Sequence, residues 1–248
     1  MFTRRQRRTD DSEPYWRQRG WQLSAGFLAV AVVLGGFAAL ASGGDGRAGA
    51  AASPGPLSGA LTEDGRPQGC HTDDSAGVTL PKAAPKDIDW RMIGVVRVPV
   101  SAAAGPTHDD GTPWWCFAHT ATGAVLAAHV ITAQMGESGW RTVAAEQLVP
   151  GQPRDMFVFR RSTVGDSVSA NTTDTSAVST YVGFSVPSYT GSTARVNLLM
   201  RTTQGYAATT VNLRWDKGDW KIVPFSDGSL YAQVQSVQNT RGYLLWEV

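Results

Sequence analysis

The chain has 248 residues, of which 42% are hydrophobic and 17% are charged, and its formal net charge is +1. This length suits one ordinary domain with appendages, since single cores usually take roughly 100 to 200 residues. Residues 1–20 carry six arginines and three acids, a balance of +3, so the rest of the chain carries −2. A folded part so close to neutral lacks the basic surface that grips phosphates, which argues against direct nucleic-acid binding.

A long apolar stretch follows the basic tail of residues 1–20. Residues 23–40 read LSAGFLAVAVVLGGFAAL, in which Ser24 is the only polar side chain. At about 1.5 Å per residue, the uncharged stretch crosses a hydrocarbon core of roughly 30 Å and predicts a single transmembrane helix over residues 21–42. The arginine excess before it predicts a cytoplasmic N-terminus and an extracytoplasmic C-terminal part in the cell membrane. A cleaved signal peptide stays open as an alternative, because residues 39–41 read ALA.

Residues 43–85 are rich in Gly, Ala and Pro and show no apolar periodicity. This composition predicts a flexible linker that holds a domain, residues 86–248, away from the membrane. The two cysteines are Cys70, in the linker, and Cys116. In an extracytoplasmic compartment such a pair is most simply a disulfide, with free buried thiols as the alternative. A disulfide at Cys70 shortens the linker and starts the folded domain at that residue.

Two loops combine a histidine with two acids: CHTDD at residues 70–74 and THDDG at residues 107–111. Imidazole and carboxylate groups are ligands for several divalent metals, so the loops invite comparison with a split metal site. Both loops lie in sequence rich in Gly and Pro, where Asp is favoured as a turn residue. We therefore interpret them as turns and expect no metal and no cofactor.

Helical periodicity appears at residues 120–135, TATGAVLAAHVITAQM, and predicts a largely buried helix. Residues 139–149 predict a second helix, stopped by Pro150, and residues 153–161 a short third one. Before them, residues 87–101 are rich in β-branched side chains and predict an extended lead-in. His129 lies in the first helix without a partner acid or nucleophile in sequence reach. We expect it to be packed and not to act as a general base, and we expect no catalytic residue elsewhere.

The period changes to two after a polar stretch at residues 162–177. Alternating apolar residues at 178–189, 194–203 and 207–215 predict half-buried antiparallel strands, and DWKIVPF at 219–225 predicts a fourth. Helices followed by about four such strands predict an α+β arrangement in which the helices cover one face of a curved sheet.

The most charged stretch, RWDKGDWKIV at residues 214–223, falls at a predicted hairpin tip. Gly218 is free to adopt the positive φ that a tight turn needs. Asp216, Lys217 and Asp219 are then expected to be solvated turn residues and not a reactive cluster, because Asp and polar residues are common in turns. Trp215 and Trp220 are expected to pack as a cross-strand pair.

The anchor, the linker, the helix rich in small residues and the closing VNLRWDKGDWKIVPF resemble anchored proteins with the cone-shaped nuclear transport factor two-like fold. Within these, segments such as WRMIGVVRVPVS and CFAHTATGAVLAAHVITAQM resemble inner-membrane assembly components of actinobacterial conjugative type IV secretion systems. The resemblance covers residues 87–248. It implies no catalytic residues and a domain that works by binding other membrane and channel proteins, but it assigns no role to the C-terminal residues 229–248.

The expected function is therefore a non-enzymatic assembly component of a membrane-spanning transfer or secretion apparatus, with a homo-oligomer as one possible state. Two alternatives stay open. One is an accessory membrane protein of a cell-envelope transporter, which shares the plan of anchor plus domain. The other is a small-ligand-binding protein or cavity enzyme, since the same fold hosts such functions elsewhere.

Overall fold

A computed structural model describes residues 55–164 and 180–247 of the chain. The predicted basic tail at 1–20, the predicted transmembrane helix at 21–42 and the first part of the predicted linker lie outside these residues. No helix within the described ranges is long and apolar enough to cross a membrane. The α+β prediction is confirmed, because three helices lie with antiparallel sheets in this part of the chain.

The helices and strands alternate in blocks along the chain. The bounds in chain order are β1 Ile88–Ile93, β2 Val96–Ser101, α1 Ala121–Gln134, α2 Trp140–Gln147, α3 Gln152–Val164, β3 Thr180–Tyr189, β4 Thr193–Thr202, β5 Gly205–Asp216, β6 Asp219–Ile222, β7 Gln235–Val237 and β8 Leu244–Leu245. The predicted extended lead-in is thus an antiparallel hairpin, β1 with β2. All three predicted helices are present.

The main sheet has six strands in the order β6-β5-β4-β3-β8, and β7 pairs with β5 off this path. Strands β3 to β6 are the four that the alternation predicts. The two further strands come from the C-terminal segment, to which the sequence assigned no role. They are only three and two residues long, too short for a period-two pattern to mark them.

Helix α1 lies against the sheet and forms the centre of the core. Twelve of its fourteen residues are buried, which confirms the prediction of a largely buried helix. Thr120 caps its N-terminus, since its side chain accepts a hydrogen bond from Gly123 N at 3.1 Å. Alanines at Ala124, Ala127 and Ala128 are fully buried and let the backbone approach its neighbours closely.

The described part of the predicted linker, residues 55–85, forms no helix and no strand of the main sheet, yet it contacts the domain. The side chain of Leu57 is 2% exposed, and its backbone N donates to Glu146 Oε2 in α2 at 3.0 Å. Cys70 forms a disulfide with Cys116, with Cα atoms 5.3 Å apart, so the disulfide prediction is confirmed. The segment is therefore attached to the domain at Leu57 as well as at Cys70.

Candidate binding site

An apolar cleft opens between the C-terminal part of α1 and the inner face of the sheet. Its volume is about 290 Å³, near the lower end of the range for small-molecule sites. The alternation of β4 and β5 supplies its floor, because every second side chain of a strand points to the same face. The lining comes from β2, α1, three sheet strands and the segment before β7, and includes Val96, Ala133, Tyr181, Leu198, Val211 and Val234.

The polar groups of the cleft are hydroxyls, and two threonines bond to nearby backbone carbonyls. Thr132 Oγ1 donates to Ala128 O at 2.7 Å, and Thr209 Oγ1 donates to Ala232 O at 2.6 Å. Burial raises the pKa of Tyr181, against a smaller lowering by its hydrogen bond with Thr132. The cleft therefore offers an apolar surface with hydroxyl groups, which suits the binding of an apolar partner.

A second cavity of about 640 Å³ continues from this cleft and shares Thr132, Gly136, Tyr231 and Val234 with it. Its other walls come from α3 and the loop after β6, where Arg161 and Asp227 supply charge. Tyr231 and Val234 are half-exposed at 50% and 49%. They form the rim between an apolar interior and a polar mouth, an arrangement that fits a segment or molecule with one apolar and one polar end.

His129 lies beside the cleft but is buried in the core and does not line the cleft. Its ring is fully buried and stands T-shaped against Tyr181, with centroids 4.6 Å apart. Nδ1 lies 2.9 Å from Val125 O, and since a carbonyl only accepts, Nδ1 carries the proton. Burial lowers the pKa of His129 to about 4, against a smaller raising by the bond to Val125. The ring is thus a neutral packing element, as expected.

The side chain of Arg66 contacts the Cys70–Cys116 disulfide. The guanidinium of Arg66 donates from Nη2 to Phe117 O at 2.9 Å and lies 2.8 Å from Cys70 Sγ. It also stands 4.9 Å over the ring of Trp215, a cation–π arrangement. Arg66 therefore ties the segment of residues 55–85 to both the cysteine loop and the β5–β6 hairpin.

The expectation that Asp219 is solvated is wrong. Its carboxylate is fully buried and accepts from the backbone N of Cys116 at 2.8 Å, of Phe117 at 3.0 Å and of Trp220 at 2.9 Å. Burial raises the pKa of Asp219 to about 6, while these backbone hydrogen bonds and the charge of Arg66 act to lower it. The side chain fixes the cysteine loop, where Cys116 has a positive φ of 72°.

Of the other charged residues of the β5–β6 hairpin, some are exposed to solvent and some are buried. Lys217 is exposed, as expected, but Asp216 lies 3.5 Å from Lys221 Nζ, and the side chain of Lys221 is only 5% exposed. Gly218 has φ 77°, as predicted for the turn. Trp215 and Trp220 pair across β5 and β6 with centroids 5.3 Å apart, which confirms the predicted cross-strand contact.

The two loops with His and Asp residues are held by structural contacts. His108 stacks on Trp115 with centroids 4.2 Å apart, and its Nε2 lies 3.0 Å from Gly69 O. Asp74 Oδ1 accepts from His119 N at 2.7 Å, and Asp73 Oδ1 accepts from Ser75 N at 2.9 Å, as in a turn. Within residues 55–164 and 180–247, no group of three His, Cys, Asp or Glu side chains is placed to hold a metal ion.

Sequence reasoning found the helix and strands that enclose the cleft but not the cleft itself. Tyr231 and Val234 form its rim, and no periodicity marks them because they lie in an irregular segment between strands. Arg66 was also missed. Its only sequence signal is its position four residues before Cys70, which places a cation beside the disulfide.

A family model for a domain of unknown function, DUF8175, matches residues 51–245. The match includes the segment that joins the domain through Leu57 and Cys70. No curated protein and no solved structure matches the chain.

Proposed function

The chain belongs to the DUF8175 family, and we propose that it is a non-enzymatic assembly component of a membrane-spanning conjugative transfer or secretion apparatus. In this proposal, residues 23–40 anchor the chain with its N-terminus in the cytoplasm. The domain of residues 55–247 lies outside and binds other membrane and channel proteins. The placement of α1 across the sheet, with a cleft at its C-terminal part, supports the resemblance to the nuclear transport factor two-like fold.

The cleft is the observation that carries the proposal. Its lining is apolar with uncharged polar groups, and its rim residues Tyr231 and Val234 are half-exposed. An apolar surface of this kind gains free energy when another apolar surface covers it. The buried titratable groups beside it and at the hairpin, His129 and Asp219, have structural partners in the backbone. The Cys70–Cys116 disulfide supports an oxidising, extracytoplasmic location.

Gene deletion and complementation test the proposal. We expect deletion to abolish conjugative transfer and the parent chain to restore it. Tyr231→Asp together with Val234→Asp places charge on the rim without opening a core cavity, so we expect that variant to reach parent levels yet not restore transfer. Met92→Asp with Val95→Asp is the matched control, because Met92 and Val95 are 57% and 62% exposed and lie outside the cleft lining.

Two results contradict the proposal. One is full transfer after deletion of the gene. The other is an outer domain that forms no photo-crosslink, from residue 231 or 234, to any other protein of the apparatus in the cell. Whether the mature protein retains residues 1–41 separately decides between an anchor and a cleaved signal peptide.

Binding of a small apolar molecule is the second candidate function, favoured by the same cleft and its volume of about 290 Å³. The anionic, amphiphilic dye ANS, whose aromatic part binds apolar surfaces, tests it. We expect the dye to fluoresce with the parent chain and much less with Val96→Trp, which fills the cleft from β2. Equal fluorescence of the two proteins places the dye elsewhere and rejects this candidate.

A further inference from the structure

Helix α3 presents an apolar surface that nothing in the described part of the chain covers. Its four consecutive apolar residues 156–159 extend around the helix, so that Phe157 faces Trp140, with ring centroids 6.0 Å apart, while Phe159 is 66% exposed. A groove of about 560 Å³ lies between α2 and α3, lined by Arg141, Ala145, Arg154, Asp155, Val158 and Phe159. Phe159 and the groove beside it thus form an exposed apolar surface, and surfaces of this kind mark interaction sites.

The surroundings of this groove are basic. The charged side chains that line it are those of Arg141 and Arg154 against that of Asp155, a balance of +1. The ion pair of Arg154 with Asp155 is 3.5 Å long, and the side chain of Asp155 is 69% exposed. Such pairs cancel little of the local field. We call this surface, α2 with α3, the basic groove.

A surface of opposite charge lies in residues 61–80, which we call the acidic end. Glu63, Asp64, Asp73 and Asp74 stand against Arg66 and against the exposed Lys217 of the adjoining hairpin tip, a balance of −2. The same segment carries exposed apolar side chains, at 43% for Leu61, 70% for Val78 and 46% for Leu80. The acidic end thus combines carboxylates with apolar groups, as the basic groove combines guanidiniums with apolar groups.

Within one copy of the chain, the acidic end and helix α3 lie at different places in the domain. The acidic end lies at the turns that close β3–β4 and β5–β6: a side chain on Gly191 meets Val78 at 3.6 Å, and one on Gly218 meets Gly65 O. Helix α3 lies beyond the other end of β6, where the backbone of Phe157 approaches Gly228. The acidic end and helix α3 therefore lie at different ends of β6, although Leu57, four residues before the acidic end, reaches Glu146 of α2.

We propose that the basic groove of one copy binds the acidic end of a second copy, so that the chain associates head to tail. The two surfaces are complementary. The acidic end has exposed apolar side chains beside carboxylates, and the basic groove has an apolar lining beside guanidiniums. Repetition of a head-to-tail contact closes into a ring when the rotation allows it. This inference rests on the proposed anchor, because chains held in one membrane with the same orientation are related by rotations about its normal.

The test uses the full chain in detergent micelles, with its mass measured by light scattering. We expect parent oligomers at about 50 mM NaCl that dissociate toward monomers at about 500 mM, since exposed charges are screened by salt. Arg141→Glu with Arg154→Glu reverses the groove, and Glu63→Arg with Asp64→Arg reverses the acidic end. Each double variant alone is expected to associate at least roughly tenfold more weakly than the parent.

Mixing the two double variants gives the decisive result. The reversed groove of one then faces the reversed acidic end of the other, so the mixture is expected to regain oligomers that neither variant forms alone. Arg195→Glu with Arg241→Glu is the matched control, with the same charge change at exposed positions outside both surfaces, and is expected to associate like the parent. Near-ultraviolet circular dichroism of each variant checks that it is folded.

A parent chain that is monomeric at low salt overturns the inference, and so does a mixture of variants that stays monomeric. Oligomers that neither double variant weakens place the contact elsewhere and also overturn it. None of these outcomes bears on transfer after gene deletion or on crosslinks from the cleft rim. Failure here is therefore distinguishable from failure of the proposed function.

Discussion

The carboxylate of Asp219 accepts a hydrogen bond from the backbone N of Cys116 at 2.8 Å, although 103 positions separate the two residues along the chain. The same carboxylate holds Phe117 N at 3.0 Å. The hairpin tip between β5 and β6 is therefore a fastening point for the loop that carries the disulfide. Asp219, the Cys70–Cys116 disulfide and Gly218 all belong to this junction.

We expect Asp219→Asn to change how stability depends on pH. Burial raises the pKa of Asp219 from 3.8 to about 6, so the folded chain binds this proton more tightly than the unfolded chain. The contribution of Asp219 is therefore greatest below pH 4 and is lost as the pH rises through about 6. At about 1.4 kcal/mol per pKa unit, the loss is a few kcal/mol. Urea unfolding of parent and variant between pH 4 and 7 measures it, and parallel stability profiles contradict it.

His129→Leu is expected to show the opposite dependence. Burial lowers the pKa of His129 from 6.5 to about 4, so the unfolded chain binds this proton more tightly. The stability that the neutral ring contributes is present above pH 6.5 and is lost as the pH falls toward 4. Because the two groups act in overlapping windows with opposite sign, the parent should be nearly flat in this range while each variant slopes. A variant profile as flat as that of the parent contradicts the pKa change of the residue removed.

Reduction of the Cys70–Cys116 disulfide is expected to lower the free energy of unfolding by about 4 kcal/mol on the chain-entropy account. The bond closes a loop with a sequence separation of 46 residues, and opening it returns that entropy to the unfolded chain. Urea midpoints with and without dithiothreitol measure the change. The double variant Cys70→Ser with Cys116→Ser is the control and should not respond to the reductant. An unchanged midpoint for the parent contradicts the prediction.

Gly218→Ala tests whether the hairpin tip is packed or free. A Cβ on Gly218 clashes with Gly65 O, whereas a Cβ on Gly111 meets nothing within 4 Å, and both residues have positive φ. Gly111→Ala therefore reports backbone strain alone, at about 1 kcal/mol. Gly218→Ala adds the clash and is expected to cost roughly 1 to 3 kcal/mol more. Equal losses in thermal unfolding show that residues 65–67 do not pack on the tip.

Much of the fold followed from local pattern. The apolar spacing of residues 120–135 identified α1, since a helix buried on most sides shows apolar residues on adjoining faces. The alternation at residues 194–215 identified β4 and β5 for a similar reason. The disulfide followed from having two cysteines in a chain with an expected extracytoplasmic part.

The tertiary structure alone decided which hairpin groups are buried and where a site lies. Asp219 has the sequence context of a turn residue, and the structure does have a turn at this position. Its burial depends on residues 65–67 and 116–117, distant in sequence, which cover the tip. The cleft depends likewise on an irregular segment at residues 231–234 meeting α1. Periodicity reports which face of an element is apolar, but it does not report which distant segment will cover that face, because such packing depends on the whole chain.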